Sequence, residues 1–298
     1  MGWCMDVEVQ SNYFMVDGTG QSTTGGTLWP AAQRLVEYLS NLRENFDGCT
    51  VLELGAGLGY LGLTIARNTL ASLVCLTEQA EGGALHWCRF NVERNRHLPN
   101  SNIVRTCECD WRDYVNCSTP SELELFTKLE GCQTVQGSSA GFQHQQEHSK
   151  FMQMQEHYLQ QAHQGSTKNA PRCHDTCNGK EADRVFLTST NWDYIVGSDL
   201  VYNSVGSTVL PLVLKKLCSP TTVILYCHTK HRFDHLDVEF FEQLDKVGFN
   251  VEEVREPCIP TPPPSPPPLT ELFPEQRIAI YRISCKLQSS NMNRSQPT

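Results

Sequence analysis

The sequence predicts an α/β fold: a seven-strand doubly wound sheet, mainly parallel, with one antiparallel strand near the C-terminus. Three observations point to it. Apolar runs of strand length alternate with segments whose apolar residues recur at helical spacing. A glycine-rich turn, Gly55 to Gly62, joins the first such run to a helix. The last two strand-like runs have no helical segment between them, which implies an antiparallel return.

Residues 7–16 alternate loosely and predict a short hairpin or edge strand, followed by a Gly/Thr-rich loop from Gly18 to Thr27. Pro30, after Trp29, suits a first helical turn. Ala32, Leu35, Val36, Leu39 and Leu42 then keep helical register up to a turn at Asp47-Gly48. Thr50–Leu54 reads as a buried strand, and the helix opened by the glycine turn runs to about Asn68. Ser72–Thr77 is a second strand. Residues 82–95 form a helix with Leu85, Cys88 and Val92 on one face, and Asn102–Cys107 is a third strand.

Residues 116–184 break the pattern. They are rich in Gln, His, Ser and Gly, with few aliphatic residues after Leu129. Such a stretch cannot bury enough apolar area to offset chain entropy, so it is expected to be a disordered insertion within a single domain spanning 1–298. Local helical tendency is expected near 120–130 and over Gln143 to Gln164. Order resumes with a strand at Trp192–Val196, a helix over 206–218 and a strand at Thr222–Cys227. A helix over 235–247 and strands Phe249–Val254 and Arg277–Ser284 complete the fold. The Pro-rich stretch at 257–274 is expected to be extended and exposed, and the tail at 286–298 to be frayed.

The formal charge of −9 disfavours nonspecific binding to phosphate backbones, so no nucleic-acid partner is expected, and a basic protein substrate is electrostatically easier. No apolar run reaches the roughly 18 residues that span a bilayer, and no secretory signal is visible at the N-terminus. The 14 cysteines are scattered, several within apolar segments (Cys75, Cys88, Cys227, Cys285). Reduced thiols and a cytoplasmic or nuclear protein are expected from that usage. No metal site is expected: Cys173-His174-Asp175-Thr176-Cys177 supplies a lone pair of cysteines where a structural zinc needs four ligands.

The chemistry concentrates at the predicted carboxyl ends of the strands, where open α/β sheets bind ligands. Gly57-Leu58-Gly59-Tyr60-Leu61-Gly62 fits the G-x-G-x-x-G of dinucleotide sites. Glu53, two residues before Gly55, opposes a pyrophosphate and suits a cationic cofactor, S-adenosylmethionine. Gly55, Ala56, Gly57 and Gly59 would form the floor beneath it. Glu78, at the end of the second strand, can accept hydrogen bonds from both ribose hydroxyls. After the third strand, Trp111 can line an adenine while Asp110 reaches its amino group.

These motifs, with Trp29-Pro30-Ala31-Ala32 and Asp199-Leu200-Val201-Tyr202, resemble the family-16 protein-lysine methyltransferases of methyltransferase-like 21 type. The resemblance covers roughly residues 8–115 and 190–285. It implies a class I, Rossmann-like methyltransferase fold and transfer of a methyl group to a lysine of a protein substrate, acting as a monomer. It also implies that Trp29, Gly55 to Gly57, Glu78, Trp111 and Ser198 contact the cofactor. Two departures stand out, since the family usually has Asp where Glu78 stands and often Ala where Ser198 stands. Asp199 is expected to orient the amine or accept its proton, and Tyr202 to form an aromatic wall. Histidine or small-molecule methylation, or a non-catalytic cofactor-binding scaffold, are the alternatives, because fold alone does not choose a substrate.

Overall fold

The computed structural model describes residues 2–11, 24–41, 46–115, 179–254 and 277–286. Its strands are β1 (Thr50–Leu54), β2 (Leu73–Glu78), β3 (Val104–Glu108), β4 (Tyr194–Ser198), β5 (Val223–Thr229), β6 (Phe249–Glu253) and β7 (Ile278–Cys285). They form one sheet in the order β3-β2-β1-β4-β5-β7-β6. The first five pair in parallel. β7 runs antiparallel to both β5 and β6. The chain reaches β7 from β6 without a crossover helix, so the antiparallel return follows from the connection.

The helices are α1 (Pro30–Asn41), α2 (Tyr60–Asn68), α3 (Ala84–Arg94), α4 (Gly179–Ser189), α5 (Leu210–Leu217) and α6 (Asp234–Lys246). A π-helical turn, Val205–Val209, leads into α5. Strands buried on both faces read as near-continuous apolar runs, and β1, with only Thr50 less than fully buried, follows that rule. One core layer gathers Leu35, Leu39, Val51, Ile65 and Val74 between the sheet and α1 and α2. The other gathers Leu187, Trp192, Val213, Phe240 and Ile283 beneath α4, α5 and α6. Cys75, Cys88, Cys107, Cys109 and Cys227 are buried in these layers as thiols. Cys285 is half-buried, its Sγ 3.4 Å from that of Cys218.

Two expectations are corrected. Residues 7–11 form no strand. They are held instead by two asparagines one turn apart on the buried face of α3. Asn95 Oδ1 accepts the Glu8 N–H at 3.1 Å and its Nδ2 donates to Glu8 O at 2.7 Å. Asn91 Oδ1 accepts the Gln10 N–H at 2.8 Å, and its Nδ2 donates to Leu58 O at 3.0 Å in the glycine turn. Each side-chain amide thus supplies the donor and acceptor that a neighbouring strand otherwise provides.

The second correction is the end of the insertion. Residues 179–184 belong to α4, which covers β3. Leu187 is fully buried, a contribution of roughly 1.5–3 kcal/mol. Asp183 accepts the Glu108 N–H at 2.9 Å and pairs with Arg105 at 3.2 Å. The Arg105 guanidinium in turn sits 3.6 Å from the Phe186 ring centroid. The apolar stripe of α4 is too thin to stand out, because Asp183 and Phe186 meet β3 through an ion pair and a stacked arginine where aliphatic residues would otherwise pack. The rest of the expected insertion, the Cys173–Cys177 pair, the Pro-rich stretch and nearly all of the C-terminal tail lie outside the described residues.

Candidate functional site

The site lies where β1, β2, β4 and β5 end. After Leu54 the chain turns through Gly55, Gly57 and Gly59, whose φ values are 57°, 53° and 80°. A Cβ makes that left-handed region costly. The turn is stitched to β2 by backbone. The Ala56 N–H donates to Thr77 O at 2.9 Å, and the Gly57 N–H donates to Glu78 Oε2 at 2.9 Å. Glu78 Oε1 accepts the Gln79 N–H at 3.0 Å. Desolvation pushes the Glu78 pKa up, and these two N–H donors hold it back.

Glu53 departs from its expected role. Its carboxylate turns beneath the loop, where Oε2 accepts the Gly62 N–H at 2.9 Å. The residue is only 2% exposed. Burial first, and the charge of Glu78 second, push its pKa up to about 8 against the Gly62 hydrogen bond. Gly62 is required by this arrangement, since a Cβ there would stand 2.6 Å from Glu53 Oε2 and 2.0 Å from Leu76 Cδ2.

Asp110 is also committed elsewhere. It caps the 3₁₀ turn Trp111–Tyr114, and its carboxylate accepts two hydrogen bonds from Arg112 Nε and one from Nη2, at 2.7–3.1 Å. Burial acts to raise its pKa, but the Arg112 hydrogen bonds outweigh burial and hold it low. Trp111, expected to line an adenine, lies beside the glycine turn. A Cβ on Gly55 would lie 3.5 Å from Trp111 Cζ2 and 2.6 Å from Leu200 Cδ2. The segment after β4 therefore touches the glycine turn directly.

Ser198 ends β4 opposite Cys227 of β5. Asp199 follows with φ 51° and a side chain only 3% exposed. Its Oδ1 accepts the Thr229 N–H at 2.8 Å, and its Oδ2 accepts the Thr229 hydroxyl at 2.9 Å and Arg232 Nη2 at 3.3 Å. A carboxylate has about four acceptor directions, so one is left for an incoming N–H. The Arg232 guanidinium lies 4.9 Å from the Trp29 ring centroid, which brings the residue before α1 to the same place. Tyr202 is 36% exposed and forms no enclosed wall among the described residues.

Sequence reasoning missed a buried chain behind Asp199. The Leu200 N–H donates to the Tyr226 oxygen at 3.2 Å. The Tyr226 oxygen lies 3.1 Å from His228 Nδ1, and His228 Nε2 lies 2.8 Å from Asp237 Oδ1. With Leu200 donating to it, the tyrosine hydroxyl is placed to donate to Nδ1, leaving Nε2–H for Asp237. The strand expected to end at Cys227 runs on to Thr229 and buries His228. The signal was available, because Tyr226 and His228 alternate on one face of a strand and Asp237 falls in the first turn of the next helix. Among the described residues there is no cluster of His, Cys, Asp and Glu that could hold a metal ion.

A sheet of this order, with a glycine turn and an acid-ended second strand at its carboxyl edge, is the class I methyltransferase architecture. A family model described as lysine methyltransferase, methyltransferase family 16, matches residues 10–127 and 175–247. That is more than half of the chain, and the chain belongs to this family. Mouse methyltransferase-like protein 22 is 37% identical over 98 residues, 32% of this chain and 24% of that protein. The calmodulin-lysine N-methyltransferase of Arabidopsis thaliana is 30% identical over 109 residues, 37% of this chain and 34% of that one. The matched segment thus spans about a quarter to a third of these relatives. A TehB-like SAM-dependent methyltransferase from Corynebacterium glutamicum aligns at 11% identity with a TM-score of 0.41, covering 88% of this chain and 90% of that one.

Proposed function

We propose that the protein uses S-adenosylmethionine to methylate a lysine side chain of a protein substrate. The observation that carries this reading is the contact of Leu200 and Trp111 on Gly55. It sets the glycine turn beside a buried, hydrogen-bonded carboxylate, Asp199, one residue before Leu200. The residues suit the cofactor: glycine turns permit close approach to backbone, and Glu78 presents a carboxylate at the height of a ribose. When bound, S-adenosylmethionine supplies a methyl group already activated by its sulfonium.

The protein's own contribution is alignment and exclusion of water. Glu78, Gly57 and Ser198 would hold the nucleoside and its tail, with Trp111 against the ring. Glu53 acts from below, by fixing the turn. Asp199 would accept one N–H of the target amine and aim its lone pair. Tyr202 would offer an aromatic face to the methylated, cationic product. The thiols buried in the core suit a cytoplasmic setting, and no helix among the described residues is long and apolar enough to cross a membrane.

Calorimetry with S-adenosylmethionine, followed by tritiated methyl transfer into lysate proteins and mapping of the labelled residue, tests the proposal. Binding with label on lysine is the expected result. Binding without label would favour a scaffold, and label on histidine would move the substrate assignment.

A further inference from the structure

Arg232, on the loop after β5, makes two contacts that converge on the acceptor side of the site. Its Nη2 lies 3.3 Å from Asp199 Oδ2, and its guanidinium rests on the Trp29 ring at 4.9 Å. The Arg232 side chain is 26% exposed, against 3% for Asp199. Other charged groups nearby are paired away from Asp199. Lys230 bonds Glu253 at 3.0 Å, and His231 bonds Asp234 at 2.9 Å. Behind the turn, Tyr226 bonds Leu200 and His228, and His228 bonds Asp237. Among the described residues, Arg232 is the one charged group bonded to Asp199.

A lysine ammonium has no lone pair and cannot attack. A desolvated carboxylate beside it stabilises the charged form and so works against the reaction. A cation on the same carboxylate cancels that effect and disfavours a second cation at the site, a device known to activate amine nucleophiles.

We propose that Arg232 is a positioning residue that neutralises Asp199, so that the site receives the target lysine as a free amine while Asp199 keeps one acceptor direction for its N–H. Trp29 braces the guanidinium on the carboxylate. The ammonium gives one proton to water before attack. The amine nitrogen then forms the new N–C bond as the methyl–sulfur bond breaks, with that bond's electron pair staying on sulfur. This inference rests on the lysine-transfer reading above.

The test compares the full chain with Arg232→Gln, Arg232→Met and Arg232→Lys. Tritiated methyl transfer into lysate proteins is followed from about pH 6.5 to about pH 10. S-adenosylhomocysteine affinity, by calorimetry, is the readout that does not depend on turnover. Both neutral variants should shift the rising limb of the profile alkaline by about one unit. Their rates then fall about tenfold near neutrality and approach the parent rate at the alkaline end. Arg232→Lys should keep the parent profile, and S-adenosylhomocysteine should bind all four proteins within about threefold. A loss independent of pH, an equal shift in Arg232→Lys, lost S-adenosylhomocysteine binding in the neutral variants, or no loss at all would overturn the proposal. If the parent binds S-adenosylhomocysteine yet labels nothing across the range, the lysine-transfer reading itself falls, and this inference with it.

Discussion

At the ends of β1 and β2 the site is made of backbone: three glycines in left-handed conformation, the Gly57 N–H on Glu78, and the Ala56 N–H on Thr77. At the ends of β4 and β5 it is made of side chains: Asp199, Thr229 and Arg232, with Trp29 arriving from the start of α1. The first half presents a fixed floor to a ligand whose shape does not vary. The second presents polar and aromatic groups held by one another, which is where a choice of acceptor can be written without disturbing the floor. Substitutions should therefore separate cleanly, with binding lost on one side and turnover on the other.

The largest effect is expected on the side-chain half. Asp199→Asn should lower turnover about a hundredfold or more while leaving S-adenosylmethionine affinity near the parent value, as measured by calorimetry beside single-turnover labelling. If affinity falls with turnover, the two halves are not separable. Glu78→Ala should do the reverse, weakening cofactor binding by about 1–3 kcal/mol as a buried N–H partner and a ribose acceptor are lost together. Gly62→Ala should cost about 1–3 kcal/mol of stability by overpacking Leu76 and Glu53. A lowered melting temperature checks this, and an unchanged one would mean the turn has room to spare.

The smallest effect is a pH dependence. Glu53 titrates near 4.5 when unfolded and at about 8 in the fold, so between those values the native state binds the extra proton. Stability is then fully present below about 4.5 and is lost as pH rises through about 8. From pH 7 to pH 8 the loss should be on the order of 1 kcal/mol. Denaturant melts of the ligand-free protein should show it, and Glu53→Gln should flatten it. A parent stability that rises over that interval would refute the buried, uncharged state assigned to Glu53.

The same division explains what was legible in the sequence. The backbone half lies within two short stretches, Glu53 to Gly62 and Thr77-Glu78, where glycine spacing and a strand-end acid can be read directly. The mainly parallel sheet and its antiparallel strand needed little more than the alternation of elements and the missing helix before β7. The side-chain half is assembled from positions about 30 to 200 residues apart, and no local pattern links Arg232 to Asp199 or to Trp29. Glu53 and Asp110 show the opposite error. Both stand at strand ends where an acid reads as a ligand contact, but Gly62 and Arg112, close by in sequence, bond their carboxylates. Helix α4 was overlooked because its packing against β3 is ionic and aromatic where a spacing pattern looks for aliphatic residues.

Asn91 bonds both Gln10 of the N-terminal segment and Leu58 of the glycine turn, so one peg ties the two together. A tag that tugs on that segment, or a deletion reaching Gln10, loosens the peg from one side and is felt on the other. Choosing where to trim this protein is therefore also choosing how firmly the glycine turn is anchored.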